Sequence, residues 1–156
     1  MSKIIGIDLG TTFSAIAQLD DLGNPEVLAS TDTNKKITAS AVYLKEKNVV
    51  VGDKALDALI ATPKNVVTET KRQMENDVKF STQKGEWIDK EETEAGCYSP
   101  AQVSSFILGK LKGYTSDVKK AVITVPAHFA EKARVATLDA AKMAGIEVIE
   151  LINEPT

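Results

Sequence analysis

Hydrophobic residues in the first twenty positions form two short runs separated by a polar turn. Residues 4–9 and 15–19 are mostly apolar and rich in isoleucine and alanine, which favours two short strands. The Gly-Thr-Thr segment at 10–12 between them has the composition of a tight turn. The pattern therefore predicts a β-hairpin with a polar tip, and it places Asp8 near the end of the first strand.

Shorter patterns over residues 25–75 predict a group of small strands and helices. The strands expected there cover residues 25–29, 37–44 and 48–51. A helix is expected from Asp53, as its N-cap, to Ile60, with an apolar face of Ala55, Leu56, Leu59 and Ile60. Because Pro63 blocks any extension of this helix, a second, short helix is expected separately over residues 67–74.

The strongest helix start in the sequence comes after residue 98. Residues 76–96 are expected to form a hairpin and a loop at a solvated edge, with Trp87 as a packing anchor and an acidic run over 89–94. Ser99, Pro100 and Gln102 then form a capping box with proline at the first helical position. Apolar residues follow at helical spacing, which predicts a core-facing helix with the stripe Val103, Phe106, Ile107, Leu111 and Tyr114.

The last third of the chain predicts a strand–helix–strand unit. The two apolar strands cover residues 121–125 and 146–152, and an alanine-rich helix over 131–144 lies between them. Strands joined by such a crossover pair in parallel, with a right-handed connection. Asn153 and Pro155 then resemble the start of another helix, so we interpret the chain as part of a longer protein.

Composition and charge exclude several classes of function. The chain has 156 residues, of which 43% are hydrophobic and 26% charged, as in ordinary globular proteins. Its net charge of −3 argues against a general nucleic-acid binder, and no apolar run approaches the ~20 residues of a membrane span. Cys97 is the single cysteine, so no internal disulfide can form, and a reducing cytoplasm is the expected compartment. His128, the single histidine, is expected to be packed or exposed rather than a metal ligand.

The hairpin tip has the chemistry of a site for phosphate and a metal ion. Asp8 can face Mg²⁺ directly or through water, because hard cations prefer oxygen ligands. Gly10 lets the backbone approach an anion, and the N–H groups of Thr11 and Thr12 can surround it. The alternative is an ordinary hairpin in which these residues serve only the turn. The sequence contains neither a P-loop motif nor a Gly-x-Gly-x-x-Gly fingerprint after the first strand.

Four blocks of the sequence together resemble the seventy-kilodalton heat-shock chaperones of the DnaK type, which are actin-like ATPases. The blocks are residues 6–12 (GIDLGTT), GDKA at 52–55 with TKR at 70–72, ITVPA at 123–127, and AGIEV at 144–148 with INEPT at 152–156. They follow the family's order along the whole chain. The resemblance implies an α/β, ribonuclease H-like (actin-like ATPase) fold, in which a mixed sheet with helices carries a smaller inserted α+β subdomain.

The resemblance also implies a division of the chain. Residues 1–37 and 116–156 would form subdomain IA, and residues 38–115 the inserted subdomain IB. Together they would be lobe I of the nucleotide-binding domain, and the chain would end before lobe II. Lobe II would supply the adenosine pocket, so lobe I alone is expected to be inactive.

The family's site residues fall on matching positions here. Gly10, Thr11, Thr12, Phe13 and Lys71 would bind ATP or ADP, and Asp8 would lie in the Mg²⁺ shell. The residues implied in hydrolysis are Lys71, Glu154 and Thr11. Pro126 and Arg134 would form a relay that signals the nucleotide state.

The implied partners are the missing lobe II and the peptide-binding domain of the same chain, unfolded peptides, and J-domain and nucleotide-exchange co-chaperones. No nucleic acid or membrane is expected as a partner. Four positions depart from the family pattern: Ala39, Glu75, His128 and Glu150. Glu150 replaces a usual arginine, which puts the standard co-chaperone partnership in question. Two alternatives stay open: a sugar- or acetate-kinase-like phosphotransferase of the same superfamily, and a non-catalytic interaction module.

Overall fold

The computed structural model of the protein describes residues 3–92 and 96–155. Within these residues the strands are β1 Lys3–Leu9, β2 Phe13–Leu19, β3 Pro25–Val27, β4 Thr38–Ala39, β5 Val42–Lys45, β6 Asn48–Val51, β7 Val66–Val67, β8 Val78–Ser81, β9 Glu86–Asp89, β10 Cys97–Tyr98, β11 Val118–Val125 and β12 Glu147–Asn153. The α-helices are α1 Asp53–Ala61, α2 Pro100–Lys112 and α3 Glu131–Met143, and two 3-10 turns cover Pro63–Asn65 and Thr70–Gln73.

The largest sheet is mixed, as the sequence predicts. Its strands lie in the order β12, β11, β1, β2 and β3, and β4 pairs with the start of β2. The first three run parallel, whereas β2 and β3 are antiparallel to their neighbours. Two small antiparallel sheets, β6–β5–β7 and β10–β8–β9, come from the middle of the chain.

The N-terminal hairpin is confirmed, and a close backbone approach explains its glycine. Ile5, Ile7 and Leu9 of β1 are buried on one face, and Asp8 is exposed on the other because successive strand residues alternate. A Cβ atom built on Gly10 would lie 2.1 Å from the carbonyl oxygen of Phe13. The turn therefore requires glycine at this position.

The strand–helix–strand unit is also confirmed. β11 pairs in parallel with β1 on one side and with β12 on the other. Ala133, Ala140 and Ala141 of α3 are fully buried, so this helix lies close against its neighbours, as its alanine content predicts. Gly145, which ends the helix, has a φ angle of 76°, a conformation that favours glycine.

Helix α2 links the main sheet to the middle of the chain through one continuous core. Its predicted capping box is present, with Ser99 and Gln102 bonded reciprocally. Val103, Ile107 and Leu111 are buried, and they share a core with residues of β1, β5 and β8. The other two predicted members of the stripe, Phe106 and Tyr114, pack against this core and are partly exposed.

Two predictions for the middle of the chain are wrong in detail. The strand expected over 37–44 is divided into β4 and β5, because Ser40 leaves the ladder and bonds to the hairpin tip instead. The helix expected over 67–74 is the short strand β7 followed by a 3-10 turn. Glu69 precedes that turn with a left-handed φ of 57°, which a continuous helix does not allow.

The prediction for α1 also needs correction. Its N-cap is Gly52, with φ of 102°, and Asp53 is the first helical residue. Of the predicted apolar face only Ala55 is buried, and Ile60 is 93% exposed. Strand β3 ends at Val27, two residues earlier than expected. Part of the predicted acidic run (93–94), and the last residue of the 152–156 block, lie outside the described residues.

Candidate functional site

The carboxyl ends of three parallel strands meet at one edge of the main sheet. Asp8 near the end of β1 is in register with Thr124 of β11, and Thr124 is in register with Ile152 of β12. The backbone N–H of Glu154 donates to the carbonyl of Val125 at 2.8 Å and fixes the residue that follows β12. In α/β sheets, this is the edge at which ligands bind.

A cleft of about 630 Å³ opens at this edge, between the sheet and the 3-10 turn. Four residues singled out from the sequence line it: Thr11, Lys71, Pro126 and Glu154. Its other lining residues are Arg72, Glu75, Ala127, His128, Phe129 and Pro155. The remaining sequence-predicted residues are not among the described residues that line this cleft: Asp8, Gly10, Thr12, Phe13 and Arg134.

Lys71 and Glu154 form an ion pair in this cleft. The Lys71 ammonium donates to Oε1 of Glu154, although the two residues are 83 positions apart. The Lys71 side chain is 10% exposed and that of Glu154 32% exposed. Because an ammonium buried without a partner is strongly destabilising, the carboxylate is what allows Lys71 to lie in this position.

Lys71 lies in the short 3-10 turn, which is held at the cleft by buried residues at both of its ends. Thr70, the preceding residue, is buried, and its hydroxyl has no hydrogen-bond partner among the residues that the structure describes. Met74, the residue after the turn, is buried in a small cluster with Val125, Phe129 and Ala133. The turn is therefore anchored by its two ends.

Ser40 fixes the hairpin tip, and sequence reasoning missed it. Its hydroxyl donates to the carbonyl of Gly10 at 2.8 Å, and its backbone N–H donates to the carbonyl of Thr12 at 2.8 Å. The hydroxyls of Ser14 and Ser40 lie 2.8 Å apart in a buried position. These bonds hold the segment that bears Thr11 at the mouth of the cleft. A single serine thirty residues away carries no sequence signal for this contact.

Asp8 lies at the same sheet edge and is exposed. Its Oδ1 accepts a hydrogen bond from the hydroxyl of Thr124 at 3.2 Å. Among the described residues, no group of three or more His, Cys, Asp or Glu side chains could hold a metal ion. Mg²⁺ usually binds through one or two carboxylates together with substrate phosphates and water. An exposed carboxylate such as that of Asp8 fits the protein part of such a ligand set.

Arg134 lies behind the wall of the cleft. Its Nε donates to the carbonyl of Phe129 at 3.1 Å, and its Nη2 donates to Oδ1 of Asn153 at 2.8 Å. The guanidinium therefore joins the loop that begins at Pro126 to the end of β12.

Two further lining residues, Glu75 and His128, are departures from the family pattern. Oε1 of Glu75 accepts the backbone N–H of Ala130 at 2.8 Å. His128 is exposed and packs edge-on against Phe129, with ring centroids 5.7 Å apart.

A mixed sheet with helices, as described above, is consistent with an actin-like ATPase fold. The family model described as Hsp70 protein matches residues 4–156. The chain therefore belongs to the Hsp70 protein family. Members of this family are generally ATPases and chaperones that bind ATP or ADP with Mg²⁺ and work with peptides and co-chaperones. None of the helices in the described residues is long and apolar enough to cross a membrane.

Proposed function

We propose that this chain binds the phosphates of ATP and its Mg²⁺, and that it contributes the charged half of an ATP-hydrolysing site in a chaperone. The observation that carries this proposal is the Lys71–Glu154 ion pair in a cleft that also contains Thr11. A cation, a carboxylate and hydroxyl donors at the carboxyl end of a sheet are the groups that phosphoryl transfer requires, since that reaction depends mainly on positioning and charge.

In this proposal the hairpin tip binds the nucleotide phosphates. Gly10, Thr11, Thr12 and Phe13 provide backbone N–H groups, and the two threonines add hydroxyl donors. Asp8 would hold Mg²⁺ through water, and a bound Mg²⁺ would supply positive charge for the phosphate oxygens. The Ser40 bonds keep this tip ordered before nucleotide arrives, so less entropy is lost on binding.

Lys71 and Glu154 act on the terminal phosphate. The ammonium has three N–H donors and the ion pair uses one, so donors remain for a phosphate oxygen and for the attacking water. Glu154 orients that water and would help to hold a bound Mg²⁺ through its hydration water. Pro126 and Arg134 connect the cleft to the loop before α3, and we propose that they relay the nucleotide state.

We further propose that residues 1–37 with 116–156 form subdomain IA, that residues 38–115 form subdomain IB, and that the two act together as lobe I. The pairing of β4 with β2 and the shared core are consistent with an insertion that packs firmly on the main sheet. Adenosine contacts would come from a second lobe. Without that lobe the nucleotide stays hydrated, and each charge contact is weak in the high dielectric of water.

In the whole protein, ATP hydrolysis would drive peptide binding and release in the cytoplasm, with J-domain and nucleotide-exchange co-chaperones. Membership of the Hsp70 family favours this role over a sugar- or acetate-kinase reaction. Glu150 is exposed on β12, where an acidic side chain would weaken the binding of a partner whose contact surface is negatively charged.

The test is single-turnover ATP hydrolysis by the natural protein that contains this chain. Lys71→Ala should lower the rate by on the order of 10²–10³, the usual effect of losing one preorganised charge stabiliser, and should change ATP affinity much less. Lys47→Ala, in the exposed turn between β5 and β6, is the matched control and should hydrolyse ATP normally. An unchanged rate in Lys71→Ala would reject the catalytic role, and no turnover by the parent protein would favour the interaction module.

A further inference from the structure

We propose that Glu75 is a positioning residue, which fastens the 3-10 turn bearing Lys71 to the N-terminus of α3. This inference rests on the proposed function for its effect on ATP hydrolysis, although the fastening itself can be measured without nucleotide. The direct contact is the hydrogen bond from the backbone N–H of Ala130 to Oε1 of Glu75, at 2.8 Å. Glu75 also lines the cleft that contains Lys71 and Glu154.

Glu75 takes the place of a capping side chain, which α2 has and α3 lacks. The first N–H groups of a helix lack partners within the helix, and a side chain three residues after the N-cap often bonds back to the N-cap N–H. In α2, Gln102 does this for Ser99 at 2.8 Å. In α3 the N-cap is Ala130, and the residue at the equivalent position is Ala133, which has no polar side chain.

Glu75 therefore supplies from another element the acceptor that α3 lacks. The contact joins residues 55 positions apart, so it crosses from the 3-10 segment to the loop between β11 and α3. A carboxylate is well suited to this position because the N-terminus of a helix carries a partial positive charge. The Glu75 carboxylate therefore neutralises part of the positive charge at the N-terminus of α3.

Residues on both sides of Glu75 also contact α3 or the loop before it. Met74, one residue before Glu75, is buried against Phe129 and Ala133. Asp77, two residues after it, pairs with Lys132 of α3 at 2.5 Å. That pair is half-exposed on both sides, and exposed pairs contribute little to stability. Glu75 is the polar contact of the segment that both reaches α3 and faces the cleft.

Loss of this contact should act on catalysis through Lys71. Lys71 lies four residues before Glu75, and its partner Glu154 is held separately by the carbonyl of Val125. If the segment loosens, the ammonium moves relative to the carboxylate and to the bound phosphate. Glu75→Ala should therefore lower kcat by about fivefold to thirtyfold and change the KM for ATP little. This factor is the one expected from the free energy that the loss of one helix cap costs. Glu75→Gln keeps an oxygen acceptor and should restore most of the rate.

Amide hydrogen exchange tests the fastening without nucleotide. In Glu75→Ala the exchange of the Ala130 amide should accelerate by at least about fivefold, whereas Glu75→Gln should retain most of the protection. Asp77→Ala is the matched control, since it removes a neighbouring carboxylate without touching the Ala130 bond, and it should leave the Ala130 amide protected. Unchanged exchange at Ala130 in Glu75→Ala would overturn the proposal.

A double-mutant cycle with Lys71→Ala separates positioning from general stability. If Glu75 acts through Lys71, Glu75→Ala should have no further effect on single-turnover rate in the Lys71→Ala background. An undiminished effect in that background would overturn the positioning role. Failure of the proposed function has a different result: Lys71→Ala alone would then hydrolyse ATP at the wild-type rate, and the exchange of the Ala130 amide would decide the fastening by itself.

Discussion

Removal of either partner of the Lys71–Glu154 pair should affect stability unequally. The two side chains differ in exposure, at 10% for Lys71 and 32% for Glu154. Glu154→Ala leaves a largely buried ammonium without its carboxylate. Lys71→Met leaves a carboxylate that water can reach, and it replaces the lysine stem with an apolar side chain of similar length.

The expected magnitudes follow from those exposures. Breaking a fully buried pair by removing one partner costs about 3–5 kcal/mol, and exposed pairs contribute about 0–1 kcal/mol. Because this pair is buried on the lysine side only, Glu154→Ala should lower the free energy of unfolding by about 2–3 kcal/mol. Lys71→Met should change it by less than about 1 kcal/mol, since apolar replacements of buried charges are often neutral or stabilising.

Urea unfolding of both variants at pH 7 gives the two free energies. Glu92→Ala is the matched control, because it removes the acidic partner of an exposed pair with Lys84 and should cost less than about 1 kcal/mol. Equal losses in Glu154→Ala and Lys71→Met, or a larger loss in Lys71→Met, would refute the argument from burial.

Two further predictions concern the turn and the charged surface. Gly10→Ala should destabilise the fold by about 1–3 kcal/mol because its Cβ would clash with the Phe13 carbonyl. Gly109→Ala in α2 is the control, since its Cβ has open space and should stabilise the fold by up to about 1 kcal/mol. Chemical denaturation measures both variants, and a neutral Gly10→Ala would contradict the clash. The hydrogen bond from Lys110 holds the pKa of the Asp32 carboxyl below its usual value. This pair therefore stabilises the fold above the unfolded pKa of about 3.9. Its contribution is lost as the pH falls through the lowered folded-state pKa. Asp32→Asn should therefore be less stable than wild type by at most about 1 kcal/mol at pH 7, and the difference should vanish in strong acid; a difference that persists there would contradict the assignment.

The elements that the sequence predicts well are those fixed by local chemistry. The capping box at Ser99 and the hairpin around Gly10 depend on residues within a few positions of each other. The parallel β11–α3–β12 unit follows from two apolar strands and an alanine-rich helix. Periodicity failed for α1, where an apolar stripe proved largely exposed, and Ile60 is the extreme case. Burial depends on what packs against a helix, which a local pattern does not contain.

The candidate site was predictable only in part for the same reason. Resemblance to a family pointed to Lys71 and Glu154, whereas nothing in their local spacing did, and the structure brings them into contact. Ser40 and Glu75 were missed as site residues because their contacts are with backbone atoms 30 and 55 positions away. A backbone partner that lies so far away along the chain leaves no local pattern in the sequence. The 3-10 turn was missed because Glu69 adopts a left-handed conformation that its residue type does not favour.

The central claim, that the cleft binds the phosphates of a nucleotide, is tested most directly by NMR titration of the isotope-labelled chain. Mg-ATP should shift the amide signals of Thr11, Lys71 and Glu154 with an affinity weaker than micromolar for the monomeric chain, and adenosine at the same concentration should leave those signals in place. Equal shifts with adenosine, or no response of these amides to Mg-ATP, would contradict the claim.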